Sequence, residues 1–160
     1  MNQGAKANKV GEVLEKTVEG TLRGHGYYEV SPNVPKSQQK EYILNSILFP
    51  KRYARSVYIG MGIYETEVYV DFYIIDSDKF PFGLIIECKW QESGGSVDEK
   101  FVYLNKNIEE CYPTQTILVM GGEGMRPKAL NWLKKQVDSN QNLLAVHSID
   151  RFIAWANKNF

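Results

Sequence analysis

The segment GLIIECKW (residues 83–90) constrains this chain more than any other. Its near-continuous apolar character predicts a central strand covered on both faces, which in turn demands helical layers above and below a sheet. Two segments rich in β-branched and aromatic residues precede it, VYIGMGIY (57–64) and TEVYVDFYIID (66–76). Both suit a pleated surface. Between them and the central strand, SDKFPFG (77–83) reads as a turn, so the three segments form a hairpin or meander.

Helical patterns flank this centre. Residues 5–24 place Val10, Val13, Leu14, Val18 and Leu22 on one stripe at three- and four-residue spacing, ending at Gly24 and Gly26. YYEV (27–30) is a short strand, Ser31 to Pro35 a turn, and 36–48 a second helix closed by Pro50. SGG (93–95) breaks the chain, and Ser96 with Glu99 resembles a capping box for a helix running to Cys111. That helix directs Val97, Phe101, Leu104 and Ile108 inward. A buried strand (114–122), a helix (125–138), a short strand (143–148) and a final helix (149–158) complete the chain. The order predicts one α/β domain over residues 1–160, with a mixed central sheet and helices on both faces.

Composition excludes several classes. No apolar run reaches the roughly twenty residues that cross a bilayer, and the polar N-terminus lacks the apolar core of a signal peptide, so a cytoplasmic location without membrane contact is expected. Cys88 and Cys111 are too few for a disulfide scaffold, and neither stands at zinc-ligand spacing with His25 or His147. Nineteen Lys and Arg balance nineteen Asp and Glu. Neutrality overall leaves room for a carboxylate metal site beside a local basic face.

The chemistry concentrates in the centre. Asp71 interrupts a strand of Val, Tyr, Phe and Ile, while Glu87 and Lys89 interrupt one of Leu, Ile, Cys and Trp. Charged groups are rarely buried unless paired or bound to metal. Strand alternation puts Glu87 and Lys89 on one face, and pairing of the two strands brings Asp71 to them. Two carboxylates then suit a hard cation such as Mg²⁺, and a neighbouring lysine can orient or deprotonate a water for attack on phosphorus. On the first helix, Glu15 falls about 110° from the stripe centre, at the border of the core, with Glu12 and Glu19 on the far side. Lys100 lies about 80° from the stripe centre of its own helix, a candidate for phosphate contact or a supporting catalytic role.

Val70-Asp71 followed by Glu87-Cys88-Lys89 resembles the PD-(D/E)xK nuclease superfamily, with Val70 replacing the usual proline. Gly11-x-x-x-Glu15 and Gly26-Tyr27 look like the opening helix of archaeal Holliday-junction resolvases, where that glutamate approaches the metal site. GGSVDEKFVYLNKNI looks like the helix after Glu-x-Lys in some restriction endonucleases; the resemblance touches roughly residues 11 to 108 in short patches. It implies a restriction-endonuclease-like three-layer αβα core and Mg²⁺-dependent hydrolysis of DNA phosphodiesters, with Mn²⁺ as a substitute. Asp71, Glu87, the carbonyl of Cys88 and Glu15 would hold metal, and Lys89 would position water.

KRYAR adds Lys51, Arg52 and Arg55 around Tyr53, a pattern suited to phosphate contact and base stacking on DNA. A domain of this size has room for one site, so cutting a duplex through calls for a homodimer or two visits. Restriction cleavage and structure-specific cleavage of junctions or repair intermediates both fit these residues. So does an inactive DNA-binding module keeping the fold. The simplest rival makes Asp71 and Lys89 a structural ion pair with Glu87 at an exposed strand end. The glycines of MGGEGM (120–125) lack the Walker lysine pattern and read as a strand-to-helix turn.

Overall fold

The computed structural model describes residues 3–92 and 97–160, with side chains from residue 10 and, past the gap, from residue 99. The chain runs α1 (Gln3–Gly24), β1 (Tyr28–Glu29), α2 (Gln39–Asn45), β2 (Lys51–Met61), β3 (Glu67–Asp76) and β4 (Phe80–Trp90). It continues α3 (Val97–Cys111), β5 (Thr116–Gly121), α4 (Pro127–Lys135), β6 (Leu143–Ser148) and α5 (Ile149–Asn159). Six strands form one sheet in sequence order. β2–β3–β4 are an antiparallel meander, whereas β1 joins β2, and β4, β5 and β6 join one another, in parallel.

Two apolar layers follow from strand alternation. Phe72, Ile74, Leu84, Ile86, Ile117 and Val119 pack under α1 and α5, with Leu14, Val18, Leu22 and Phe152 above them. Val57, Tyr73, Ile85 and Leu118 face the other way, toward Ile43 of α2, Phe101 and Ile108 of α3 and Leu133 of α4. The result is the three-layer mixed-sheet architecture that the resemblance implied. Each fully buried aliphatic, such as Val18 or Leu22, contributes roughly 1.5–3 kcal/mol by leaving water. Val13, predicted on the buried stripe of α1, is instead 60% exposed. The stripe is narrower than expected and centred on Leu14, Val18 and Leu22.

The expected second helix shortens to a 3₁₀ turn (Lys36–Gln38) and the two turns of α2, leaving Ile47 and Leu48 exposed before β2. β2 begins six residues before the expected position 57, because KRYAR is strand. Its polar residues are occupied within the fold. Arg52, 2% exposed, donates through Nε, Nη1 and Nη2 to the carbonyls of Ile43, Phe49 and Leu44. Ile43 and Leu44 lie in the last turn of α2, where the Ile43 carbonyl also accepts from the Ser46 N–H. Tyr53 is fully buried, and Lys51 donates to the carbonyls of His25 and Phe160. Lys51 pairs with Asp76, at the end of the sheet away from Asp71 and Glu87. Lys51, Arg52 and Tyr53 thus make their bonds within the fold. Arg52→Met is expected to lower the unfolding free energy by about 3 kcal/mol, since the carbonyls of Ile43, Leu44 and Phe49 all lose a charged donor. Urea denaturation of that variant checks the value; a loss within error of zero would refute a structural role for these bonds.

The break at 93–95 and the Ser96 cap lie outside the described residues. Among the described residues, no helix is long and apolar enough to cross a membrane. Cys88 and Cys111 are free and half-buried, as two structural thiols should be.

Candidate active site

β3 and β4 pair as far as Phe72 and Ile86 and then part. Val70 and Tyr73 face the same apolar layer although three residues apart, so alternation slips at Asp71. On β2, Ser56 lies between the positions paired with Phe72 and Val70 and has a left-handed φ of 52°. With the alternation slipped there, Asp71 turns sideways toward β4, where its Oδ2 accepts the Cys88 N–H at 2.7 Å. The carboxylate thereby satisfies a backbone donor that the parting strands would leave without a ladder partner.

Glu87 and Lys89 share one face of β4, as their spacing predicts. Lys89 Nζ lies 3.1 Å from Glu87 Oε2 and 4.0 Å from Asp71 Oδ2. Glu87 is 2% exposed, which removes the reading of an exposed strand end. Its second oxygen accepts a hydrogen bond from the Tyr112 hydroxyl at 2.5 Å, from the residue just past α3. Burial, reinforced by the Glu87 charge, pushes the Tyr112 phenol far up, so it remains a donor. Tyr112 was invisible to sequence reasoning: twenty-five residues separate it from Glu87, and no spacing rule connects them.

The electrostatics are those of a crowded carboxylate pair. Burial first, and then the negative charge of Glu87, push Asp71 up to about 7. Lys89 stays above its ordinary range: burial is its largest influence and pulls down, but Glu87 and Asp71 together outweigh it. Lys89 is therefore a cation here, suited to hold a water or a phosphate oxygen. Among the described residues, no three carboxylate, imidazole or thiol groups gather into a ready-made metal cluster. Asp71 and Glu87 nevertheless fit a hard dication, because two oxygen donors that disfavour each other's charge are relieved by a positive ion between them.

The pH dependence follows from Asp71. Its folded value lies above the unfolded 3.8, so between about pH 4 and 7 the folded state holds more proton than the unfolded one. Stability of the metal-free protein is expected to fall as pH rises through that window, by up to about 4 kcal/mol. Urea denaturation in EDTA across this range, beside Asp71→Asn, isolates the effect. Parallel profiles for the two proteins would refute it.

A cleft of about 770 Å³ opens at the end of β4. Glu15 of α1, Cys88, Lys89, Gln91 and Lys100 of α3 are among its lining residues, so groups from both helical layers meet there. Glu15, however, is held by Arg55 at 2.9 Å on the α1 side of the sheet. The structure gathers Asp71, Glu87 and Lys89; Glu15 and Lys100 line the cleft that Lys89 also lines. Arg55 also reaches Glu19 and lies over the Phe72 ring, 5.6 Å from its centroid. Glu19, expected on the far side of α1, instead accepts from Tyr53, because the narrower apolar stripe turns that residue inward. The Cys88 side chain belongs to the α1 layer, and burial pushes its thiol up.

A family model described as a PD-(D/E)XK nuclease superfamily domain matches residues 6–160, nearly the whole chain. No curated protein and no solved structure matches it.

Proposed function

Because the chain belongs to the PD-(D/E)XK nuclease superfamily, we propose that it is a Mg²⁺-dependent endodeoxyribonuclease acting through Asp71, Glu87 and Lys89. The observation that carries this reading is the meeting of one cationic lysine, itself a lining residue of the cleft, with two carboxylates at the parted ends of β3 and β4. A structural ion pair needs one carboxylate; the second adds a charge that a proton on Asp71 or a further cation neutralises.

In this reading Asp71 and Glu87 hold the cation, with the Cys88 carbonyl as a further ligand and Mn²⁺ as an acceptable replacement. A bound divalent ion would supply charge neutralisation and Lewis acidity at the scissile phosphate. Lys89 donates to the attacking water and fixes its approach to phosphorus, and its charge opposes the negative charge that builds there. Tyr112 holds the Glu87 carboxylate in one orientation. Glu15 orients water or a second cation once Arg55 releases it, and Lys100 contacts a phosphate flanking the bond. Arg55, the residue of KRYAR nearest the cleft, exchanges Glu15 for DNA phosphate. One site per chain makes a nick the elementary event, and a homodimer makes a double-strand break.

The test is supercoiled plasmid incubated with the protein in Mg²⁺ and in EDTA. Nicked or linear product in Mg²⁺ alone supports the reading. Intact plasmid, and intact branched and single-stranded DNA, from folded protein would overturn it.

A further inference from the structure

The β2–β3 hairpin tip, residues 62–66, is fastened to α3 rather than left free. Ile63 N–H donates to Asn107 Oδ1 at 2.9 Å, and the Thr66 and Tyr103 hydroxyls meet at 3.2 Å. This fixed turn sets the Tyr64 ring on that of Tyr103, with centroids 4.9 Å apart and planes 22° from parallel. Tyr64 is nonetheless 72% exposed, so burial gives little account of an aromatic residue there. Tyr103 itself lines the catalytic cleft together with Lys89 and Lys100.

We propose that Tyr64, backed by Tyr103, is a stacking platform for an unpaired nucleobase at the mouth of the cleft, so that the preferred substrate is DNA with a single-stranded nucleotide beside the scissile phosphate. The proposal rests on the nuclease reading for its substrate class. Stacking on an aromatic face is open to every base, but a base inside a duplex is already covered on both faces by its neighbours, whereas an unpaired base can offer a free one. The platform is rigid, which reduces the ordering cost of binding. Lys100, three residues before Tyr103 on α3, supplies a cation for the adjoining phosphate. Glu65, exposed beside Tyr64, turns phosphates away from the tip itself and leaves the base as the group that approaches it.

The experiment measures binding in EDTA, where cleavage plays no part. A short single strand carrying 2-aminopurine and a blunt duplex of the same sequence are titrated with wild type, Tyr64→Leu and Tyr64→Trp. Leu keeps an apolar cover on Tyr103 but has no π face. The expected result is fluorescence quenching of the single strand by wild type and Tyr64→Trp. Tyr64→Leu should lose the quenching and bind the single strand about tenfold or more weakly, with duplex affinity unchanged. Equal losses on both DNAs, no loss on either, or no single-strand binding by wild type would overturn the proposal. Plasmid cleavage in Mg²⁺ separates the two readings. Cleavage with Tyr64-independent binding sinks the platform alone, whereas Tyr64-dependent quenching without cleavage of any DNA sinks the nuclease alone.

Discussion

Asp71→Asn is expected to lower Mg²⁺-dependent plasmid cleavage by about 10²- to 10³-fold while making the metal-free protein more stable near pH 8. The loss of activity is the size seen when one preorganised charged or polar group is withdrawn from a reacting centre. The gain in stability comes from removing a carboxylate that burial and Glu87 hold near 7, and so oppose when it is charged. Opposite signs for activity and stability separate a functional carboxylate from a structural one. Lys89→Ala should abolish cleavage to a similar extent but destabilise the fold, since it leaves Glu87, 3.1 Å away and buried, without its counter-charge. Rates on supercoiled plasmid and urea midpoints for both variants check the pair. If Asp71→Asn proves both active and less stable, the three groups are a salt bridge and nothing more.

Gly122→Ala is expected to be the most destabilising single-methyl addition among the described glycines, at about 3–5 kcal/mol. Gly122 has φ +91, and a Cβ there would stand 2.1 Å from the carbonyl oxygen of Gln91. That oxygen accepts from the Gly124 N–H at 2.8 Å, and the Gln91 N–H donates to the Gly121 carbonyl at 3.1 Å. The obstruction is therefore backbone and cannot swing aside as a side chain would. Relief requires moving the end of β4, two residues from Lys89, so cleavage should fall as well. Gly20→Ala is the control: it lies within α1 with nothing near its Cβ position and should be stabilising by about 0.5–1 kcal/mol. Urea denaturation of both variants decides the matter, and a Gly122→Ala cost below about 1 kcal/mol would sink the argument. The glycines of MGGEGM are accordingly a close-packed strand-to-helix turn, as their sequence suggested.

The layered α/β class, the central strand and the anomaly of three charges in apolar strands are all legible in the order of residues. All of these are local. Alternation over two residues puts Glu87 beside Lys89, helical spacing over four aligns Leu14, Val18 and Leu22, and a continuous apolar run marks a strand covered twice. Val13 shows the limit, since spacing alone draws a stripe wider than the one the sheet covers. The rest was decided by tertiary structure, because it depends on partners that packing brings from far along the chain. KRYAR reads as a pattern suited to phosphate contact and base stacking, and only the fold shows Arg52 donating to carbonyls around the end of α2 and Tyr53 under α1. Glu15 stands at the cleft, but a β2 arginine forty residues away holds its carboxylate. Asp71 reaches Cys88 only through a slip in alternation that no periodic pattern encodes, and Glu87 is oriented by a tyrosine across α3. A buried polar group must find a partner wherever the fold provides one, and a one-dimensional pattern does not say where that is.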